Sequence, residues 1–370
     1  MISPSALRSV ISAFNIYGEF IGATPYGSGH INDTYCAQFN QGGTRIRYIL
    51  QRINHKVFKD PLGLMENIQR VTEHIAAKTA AEPDSSRISL TLLGAKNGRC
   101  WHQDESGNFW RTYIFIENAR SYDTADSESQ AYQAAKAFGR FQCLLADLPA
   151  PRLQGTIRDF HHTPRRFAAL EQAITADIVN RAIYAKAEIE FALQRKPWTG
   201  TLLDAGLPER VTHNDTKLNN VMLDEATGEG VCVIDLDTVM PGLVLYDFGD
   251  MVRTFTSPAS EDERALSKIT MRFPMFAALV RGYLASAASF LTSFERQYLA
   301  FSGKLITFEI GVRFLTDFLA GDTYFKLHRE GQNLDRCRAQ FKLVESIEQQ
   351  EEHMQSFVES TGLGTRSSKS

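Results

Sequence analysis

Residues 211–240 combine two short apolar runs with an unusual density of acidic and amide side chains, and this segment constrains the fold most. The stretch VTHNDTKLNNVML places Asp215 five residues before Asn220, just ahead of an apolar run. A second apolar run, VCVI, ends at Asp235. Because sites are commonly built where strands end, the segment predicts a short β-rich insert that carries polar chemistry.

The spacing of these residues suits the transfer of a phosphoryl group from ATP. That reaction needs a carboxylate to orient or deprotonate the acceptor hydroxyl, and oxygen ligands for Mg²⁺ from two chain segments. Asp215 is the predicted base, Asn220 a neutral metal ligand, and Asp235 the charged ligand that bridges metal and phosphates. Lys217 is expected to reach the transferred phosphate, and His213 to brace the loop by hydrogen bonding. The predicted cofactors are therefore ATP and Mg²⁺.

Composition indicates a globular chain with a small-molecule partner. The 370 residues are 43% hydrophobic and 22% charged, enough for a sizeable core and two lobes. The net charge of -3 offers no basic face for nucleic acid, and no run approaches the ~20 apolar residues of a membrane span. Five scattered cysteines without metal-ligand spacing favour reduced thiols. We expect a cytoplasmic monomer that binds neither nucleic acid nor membrane.

The order of apolar patterns predicts an α+β chain with a small β-rich lobe followed by a larger, mainly helical lobe. Two β-like runs around the turn NQGG predict a hairpin, and a helix-spaced segment follows Asp60-Pro61. The later helical stretches are 128–146, 168–194, 262–292 and 295–320. The predicted nucleotide-binding lobe, catalytic and substrate-binding lobe, and disordered tail are 1–118, 119–358 and 359–370.

The H-x-D-x4-N element, the VIDLD run and Tyr246-Asp247 together resemble the bilobal protein-kinase-like fold of protein kinases, choline kinases and aminoglycoside phosphotransferases. Within that group, YILQRIN, THNDTKLNNVM, VIDLDTVMPGLVLYDFGD and RFLTDFLAGDTYF look like the bacterial N-acetylhexosamine 1-kinases over most of the chain. The resemblance implies ATP-dependent phosphorylation of the C1 hydroxyl of N-acetylglucosamine or N-acetylgalactosamine. It also implies that Asp247 braces the catalytic loop. Asp237 stays open between assisting the metal and binding backbone.

The resemblance assigns the nucleotide to the small lobe. Gly27 and Gly29, in GSGHINDTY, would let backbone N–H groups approach the phosphates, with a plain turn as the alternative. The segment FIENA would be the hinge between the lobes. The backbone of its Ile116 and Glu117 is expected to meet the adenine ring.

The family's lysine on the third strand is replaced here by Arg52, which can still contact phosphates as a planar fork. Its helix partner is expected to be Glu66, with Glu73 as the second choice by distance. The alternative is that the arginine and the glutamate are surface residues of a strand and a helix.

Arg313 and Tyr324 are the predicted acceptor-binding residues, together with Asp215. An arginine donates to sugar hydroxyls or an acetamido oxygen, and a tyrosine offers a ring face and a hydroxyl. Because Gly321-Asp322 is a helix stop signal, Tyr324 is expected to fold back toward Arg313 on a loop or a new helix. The alternative is that Arg313 pairs with Asp317 on a solvated helix and that Tyr324 is ordinary core.

Two other functions stay open. One is a kinase for choline, homoserine or an aminoglycoside, acceptors that are usually cationic and prefer an acidic pocket. Leu243 stands where many aminoglycoside enzymes have an acidic residue, which favours the sugar kinase. The other is a pseudokinase that binds without catalysis. Loss of the base or of a metal ligand would favour that function, yet all three residues are present.

Overall fold

The computed structural model describes residues 2–27, 29 and 31–363. The strands β1 to β10 are Glu19–Pro25, Asp33–Gln41, Thr44–Arg52, His102–Gln103, Phe109–Ile114, Ala119–Arg120, Arg210–Thr212, Val221–Asp224, Gly230–Val233 and Met240–Gly242. The helices α1 to α13 are Pro4–Ile11, Pro61–Thr79, Ser85–Ile88, Glu128–Leu145, Thr163–Ala176, Lys186–Gln194, Thr201–Asp204, Val244–Thr256, Phe273–Ala287, Ser293–Gln297, Leu299–Leu319, Gln332–Glu348 and Glu351–Leu363. Within the described residues, none of these helices is both long and apolar enough to cross a membrane.

The N-terminal lobe is built on an antiparallel sheet of five strands in the order β1-β2-β3-β5-β4. β2 and β3 form the predicted hairpin, with Asp33 opposite Arg52 at its open end. Gly42 and Gly43 supply the positive φ angles that its tight turn requires. α1 covers one face of the sheet and shares a small apolar core with it.

α2 connects the two lobes. Its apolar face packs into the core that the C-terminal helices also share. Asn67 lies on this face, fully buried, and its Nδ2 donates to the carbonyl oxygens of Gln154 at 2.8 Å and Val239 at 3.1 Å. The chain itself crosses between the lobes at 115–118, after which β6 pairs with β8. The lobe boundary at 118/119 stays a prediction.

Close packing between α4 and α9 forms the centre of the C-terminal lobe. A Cβ atom added to Gly282 would lie 2.1 Å from the Tyr132 carbonyl oxygen, and one added to Gly139 would lie 2.8 Å from that of Tyr283. Only glycine permits so close an approach of the two backbones. The approach brings Tyr283 of α9 against Gln142 of α4, and the tyrosine hydroxyl donates to Oε1 at 2.5 Å.

The β-rich insert predicted at 211–240 is present as β7 to β10. β7 pairs antiparallel with β10, and β8 pairs with both β6 and β9. The Ile234 N–H donates to the Asn220 carbonyl oxygen at 2.9 Å, which holds the loop after β9 beside the loop after β7. The insert therefore places the two predicted polar segments next to each other.

Three predicted segments differ from the structure. The helix expected over 262–292 is shorter, because α9 spans only Phe273–Ala287, with a proline in its first turn. The helix expected over 168–194 is interrupted because Asp177 adopts a left-handed φ of 32° and its side chain accepts backbone N–H groups from the following turn. The tail was predicted to be disordered over 359–370, but α13 continues to Leu363. Burial of Val358 anchors this last helix on the core. The residues beyond Leu363 lie outside the described part of the chain.

Candidate active site

A buried carboxylate on α8 holds the loop that carries Asp215. Asp247 is fully buried and accepts hydrogen bonds from the backbone N–H groups of His213 at 2.9 Å and Asn214 at 2.6 Å. Gln142 Nε2 donates to the same carboxylate at 2.6 Å. Burial raises the pKa of Asp247 above its usual value, and the hydrogen bonds to its ionised form oppose that rise. This contact is the bracing that the family resemblance implied.

A second carboxylate extends the same support by one turn of α8. Asp250 accepts the backbone N–H of Thr216 at 2.9 Å and pairs with Arg253 Nε at 2.8 Å. The backbone between these supports is strained, because Asn214 has a φ of +65°. Such a conformation persists where surrounding contacts over-determine it. Asp247 and Asp250 together supply those contacts.

His213 ties the predicted catalytic loop, which is the segment between β7 and β8 that carries Asp215, to the end of β9. Its Nε2 lies 2.9 Å from the Ile234 carbonyl oxygen, and its Nδ1 lies 3.3 Å from the Asp215 backbone nitrogen. This pattern assigns a proton to Nε2 and an acceptor role to Nδ1, so neither nitrogen is left for a substrate. The rings of Phe138 and Phe141 pack around the imidazole at 5.4 and 5.9 Å. The geometry suits the bracing role predicted for His213.

The half-buried carboxylate of Asp215 has two side-chain donors. Lys217 Nζ lies 2.7 Å from Oδ1, and Asn220 Nδ2 donates to Oδ2 at 3.0 Å. Burial alone would raise the pKa of Asp215, but the positive charge and hydrogen bond of Lys217 lower it below its usual value. Asp215 is therefore ionised near neutral pH. In that form it can accept a hydrogen bond from an acceptor hydroxyl.

Asp235 and Asn220 present oxygen atoms to the cleft. Asp235 has a left-handed φ of +59°, faces solvent, and forms no hydrogen bond or ion pair with any described residue. Desolvation by the surrounding protein is the largest cause that raises the pKa of Asp235, and the negative charges of Asp237 and Asp215 add to it. The pKa rises to about 6. Asn220 donates its Nδ2 to Asp215, and its Oδ1 has no hydrogen-bond partner among the residues that the structure describes. A cation would relieve this crowding of negative charge.

These two oxygen ligands fit Mg²⁺. Among the residues that the structure describes, no group of three or more His, Cys, Asp or Glu side chains could hold a metal by itself. Mg²⁺ is usually held by one or two protein oxygens, with phosphates and waters completing its octahedron. The site therefore fits a metal ion that is bound together with a nucleotide.

Asp237 is neither a free metal ligand nor a backbone-binding residue. It is buried two residues after Asp235, and its Oδ1 accepts from Arg111 Nη1 at 2.5 Å while its Oδ2 accepts from Asn32 Nδ2 at 2.6 Å. Arg111 lies on β5 and is 1% exposed. Its Nε and Nη2 donate to Gln51 Oε1 at 3.0 and 2.9 Å. The Asp237 carboxylate therefore binds side chains of the N-terminal lobe, and this differs from both roles left open for it, assisting the metal and binding backbone.

The structure does not bring Arg52 and Glu66 together. Arg52 pairs with Asp33, the residue directly opposite it in the β2–β3 register, because cross-strand neighbours are the nearest partners available. Glu66 faces solvent from α2, and Glu73 accepts from Gln69 Nε2 at 2.8 Å. The arginine that reaches the acidic loop is Arg111, whose only sequence signal is a charge inside the apolar run of β5.

The structure describes the four other residues that are predicted to bind the nucleotide, Gly27, Gly29, Ile116 and Glu117. Gly27 has a φ of +81°, which favours glycine, and Gly29 has open space around its Cα. The residues on either side of Gly29 lie outside the described part of the chain. The backbone N–H groups of Ile116 and Glu117 form no hydrogen bond with described residues, so they are available to an adenine edge. The Glu117 side chain is held by Arg47.

Arg313 and Tyr324 line one cavity of about 230 Å³ at the end of α11. The Arg313 guanidinium lies 5.1 Å from the Phe160 ring and 5.7 Å from the Phe325 ring, and it has no polar partner among the described residues. Asp317 instead accepts three backbone N–H groups from the loop after α11. The alternative pairing of Arg313 with Asp317 is therefore absent, and Tyr324 is 60% exposed rather than core.

A buried histidine–glutamate pair connects this cavity to the catalytic loop. Glu309, one turn before Arg313, accepts from His161 Nδ1 at 2.8 Å and from Thr163 Oγ1 at 2.5 Å. His161 Nε2 donates to the Asn214 carbonyl oxygen at 3.1 Å. Burial would raise the pKa of Glu309, but the neighbouring His161 lowers it. His161 thus bridges the Glu309 carboxylate and the backbone of the loop that carries Asp215.

A second and larger cavity, of about 530 Å³, opens on the other side of the catalytic loop. Its lining includes Lys217 and Asn219 from that loop and Arg253 from the end of α8. Arg253 is already bonded to Asp250 and Glu261. The charges near this cavity are thus largely paired within the protein, unlike that of Arg313.

Residues 22–273 match the APH family, the phosphotransferase enzyme family. Solved structures with the same fold include a spectinomycin phosphotransferase in complex with ADP and spectinomycin, with a TM-score of 0.62, 11% identity, and coverage of 94% of this chain and 99% of that chain. An aminoglycoside phosphotransferase from Alicyclobacillus acidocaldarius matches with a TM-score of 0.60 and 12% identity, over 95% of this chain and 97% of that chain. A microcompartment-associated aminopropanol kinase matches with a TM-score of 0.57 and 13% identity, over 95% of this chain and 98% of that chain. The protein-kinase-like fold predicted from the sequence is confirmed.

We predict that Asp247→Asn lowers the free energy of unfolding by about 1–3 kcal/mol. The substitution replaces one acceptor oxygen by an NH₂ group, which faces an N–H donor and leaves buried polar groups without a hydrogen bond. Urea unfolding followed by circular dichroism measures the change. Asp147→Asn is the matched control, since Asp147 is an exposed carboxylate paired with Lys78, and it should leave stability close to that of the unmodified protein. Equal stability of the two variants would contradict the bracing role.

Proposed function

Because this chain belongs to the APH phosphotransferase enzyme family, we propose that it transfers the γ-phosphoryl group of ATP to the C1 hydroxyl of an N-acetylhexosamine. The family supplies the phosphotransferase activity, and the proposal adds the acceptor. One observation carries it: the Arg313 guanidinium, which has no polar partner among the described residues, lines a cavity beside an exposed tyrosine. That combination suits the hydroxyl and acetamido groups of a pyranose ring.

The charge around this cavity favours a neutral acceptor. Arg166 lines it together with Arg313, and burial, followed by the charge of Arg313, lowers the pKa of Arg166. Asp317, which lines the cavity, and Glu309, one turn before Arg313, already accept hydrogen bonds from the protein. A cationic amine would meet two guanidinium groups without a free carboxylate, which is unfavourable. These contacts favour the sugar over choline, ethanolamine or an aminoglycoside.

The catalytic loop supports direct transfer to the sugar. Ionised Asp215 orients the C1 hydroxyl and takes its proton as the C1 oxygen attacks the γ-phosphorus, while the bond to the β–γ bridging oxygen breaks and ADP leaves. Lys217 lies beside Asp215 and can balance charge on the transferred group. Asn220 and Asp235 would hold Mg²⁺, which neutralises the phosphate charge when bound. Because the chain carries the predicted base and both predicted ligands, we favour an active kinase over a pseudokinase.

We predict that Asp235→Ala removes the Mg²⁺ dependence of nucleotide binding, because Asp235 supplies the charged ligand of the site. Isothermal titration with ADP, in Mg²⁺ and in chelator, measures this directly. In Asp215→Asn the Mg²⁺-dependent gain should persist, while turnover falls about 10²–10⁴-fold, the usual contribution of a positioned acid or base. A full Mg²⁺-dependent gain in Asp235→Ala would show that the metal ligand lies elsewhere.

We predict that Lys217→Met moves the acidic limb of the pH profile of kcat/KM to higher pH. Lys217 lowers the folded-state pKa of Asp215, so its removal raises that pKa and protonates the base at a pH where the unmodified enzyme is still active. The profile should be measured with saturating Mg²⁺ and with the acceptor well below its KM. An unchanged acidic limb would mean that another group controls it.

We predict that Arg313→Ala raises the KM for N-acetylglucosamine about 10- to 100-fold, the equivalent of ~1.5–3 kcal/mol for a hydrogen bond to a charged group, and leaves the KM for ATP nearly unchanged. A coupled ADP-release assay with N-acetylglucosamine, N-acetylgalactosamine, choline, homoserine and an aminoglycoside supplies the test.

Arg338→Ala is the matched control for Arg313→Ala, because Arg338 pairs with Glu188 on a different surface. It should not change the KM for any acceptor. Activity on choline, homoserine or the aminoglycoside, with none on the sugars, would overturn the proposed acceptor. Turnover of the sugars with an unchanged KM in Arg313→Ala would instead place the acceptor in the cavity beside Lys217.

A further inference from the structure

We propose that Asn32, Arg111 and Asp237 form a latch between the two lobes that positions the metal-binding loop. We call these three residues the lobe latch. They are positioning residues, since each acts through Asp235 rather than on the substrate. The inference rests on the phosphotransferase activity and not on the identity of the acceptor.

The latch fixes Asp235 through the backbone that follows it. Asp237 lies two residues later, in the short turn Leu236–Thr238. Both of its carboxylate oxygens are occupied by donors from the N-terminal lobe, Oδ1 by Arg111 and Oδ2 by Asn32. Asp237 therefore cannot move without breaking one buried and one partly buried hydrogen bond. Because only one residue separates the two aspartates, holding Asp237 also restricts Asp235.

Arg111 brings a positive charge to this point from the centre of the sheet. Its guanidinium is divided between Asp237 and Gln51 of β3, so it is oriented from both sides. Removing two charges from water costs several kcal/mol per ion, and well-packed apolar residues would often be at least as stable. Stability alone therefore gives little reason for this buried pair. Its position beside Asp235 gives a functional one.

Asn32 extends the latch to the loop that is predicted to cover the phosphates. It lies between Gly29 and the start of β2, and its Nδ2 donates to Asp237. Its Oδ1 accepts the backbone N–H of Asn54 at 3.0 Å, and Asn54 Nδ2 donates to the Ile31 carbonyl oxygen at 3.1 Å. The amide is thus fixed at both ends. Asn32 thus ties the segment just before β2 and the segment just after β3 to the loop that carries Asp235.

The chain contains a matched control for the latch. Arg87 of α3 donates to Asp224 of β8 at 2.9 Å and to the Asn118 carbonyl oxygen at 3.0 Å. This pair also joins the small lobe to the insert, but it involves neither the metal-binding loop nor the phosphate-covering loop. Arg87→Met should therefore affect stability without affecting metal-dependent binding.

The test is ADP binding by isothermal titration, with Mg²⁺ and with chelator, in the absence of any acceptor. We expect Asp237→Asn to weaken binding of ADP with Mg²⁺ about 10- to 100-fold, as for other residues that orient metal ligands, and to change ADP binding in chelator little. Asn32→Ala should show a smaller loss of the same kind. The losses in the double variant should be less than additive, because both changes break one contact.

The latch would be overturned if Asn32→Ala and Asp237→Asn bound ADP with Mg²⁺ as tightly as Arg87→Met. It would also be overturned if their losses were the same in chelator, or if the two losses added fully. Should Asp237→Asn fail to fold, Asn32→Ala still decides the question, since Asn32 is only partly buried. The absence of acceptor keeps this result independent of the proposed sugar substrate.

Discussion

The buried carboxylate of Asp247 is the interaction on which the catalytic loop depends. It accepts two consecutive backbone N–H groups, which forces the chain to turn sharply just before Asp215. Asp247 is itself oriented by Gln142, and Gln142 by Tyr283. That last contact exists because glycines let α4 and α9 approach closely. Apolar packing in the large lobe is therefore transmitted, one hydrogen bond at a time, to the predicted catalytic base.

Three supports reach this loop from different elements. α8 holds its backbone, His213 ties it to the end of β9, and His161 links it to α11. The last link starts one turn from Arg313, so the proposed acceptor cavity and the predicted base share one rigid framework. A base held in this way keeps its orientation while substrates exchange. Such preorganisation is where much of the rate advantage in phosphoryl transfer originates.

Local patterns were enough to predict much of the molecule. Apolar spacing located the β2–β3 hairpin and most helices, and the spacing within H-x-D-x4-N identified a loop whose parts do meet. The sequence failed where partners are distant: Arg111 and Asn32 reach Asp237 across 126 and 205 residues. The pair of His161 and Glu309, 148 residues apart, was missed for the same reason. Arg52 and Glu66 were paired wrongly for a different reason: the tight turn fixes the hairpin register, and that register places Asp33 opposite Arg52.

The left-handed backbone at residue 235 has a consequence for which amino acids the site can accept. At a φ of +59° most side chains are strained, and aspartate and asparagine are among the few that tolerate it besides glycine. The metal-binding role proposed for Asp235 separately calls for a charged oxygen. Glutamate meets the second demand but not the first, and glycine meets the first but not the second. Aspartate is thus the one amino acid that meets both demands, from backbone geometry and from charge, at this position.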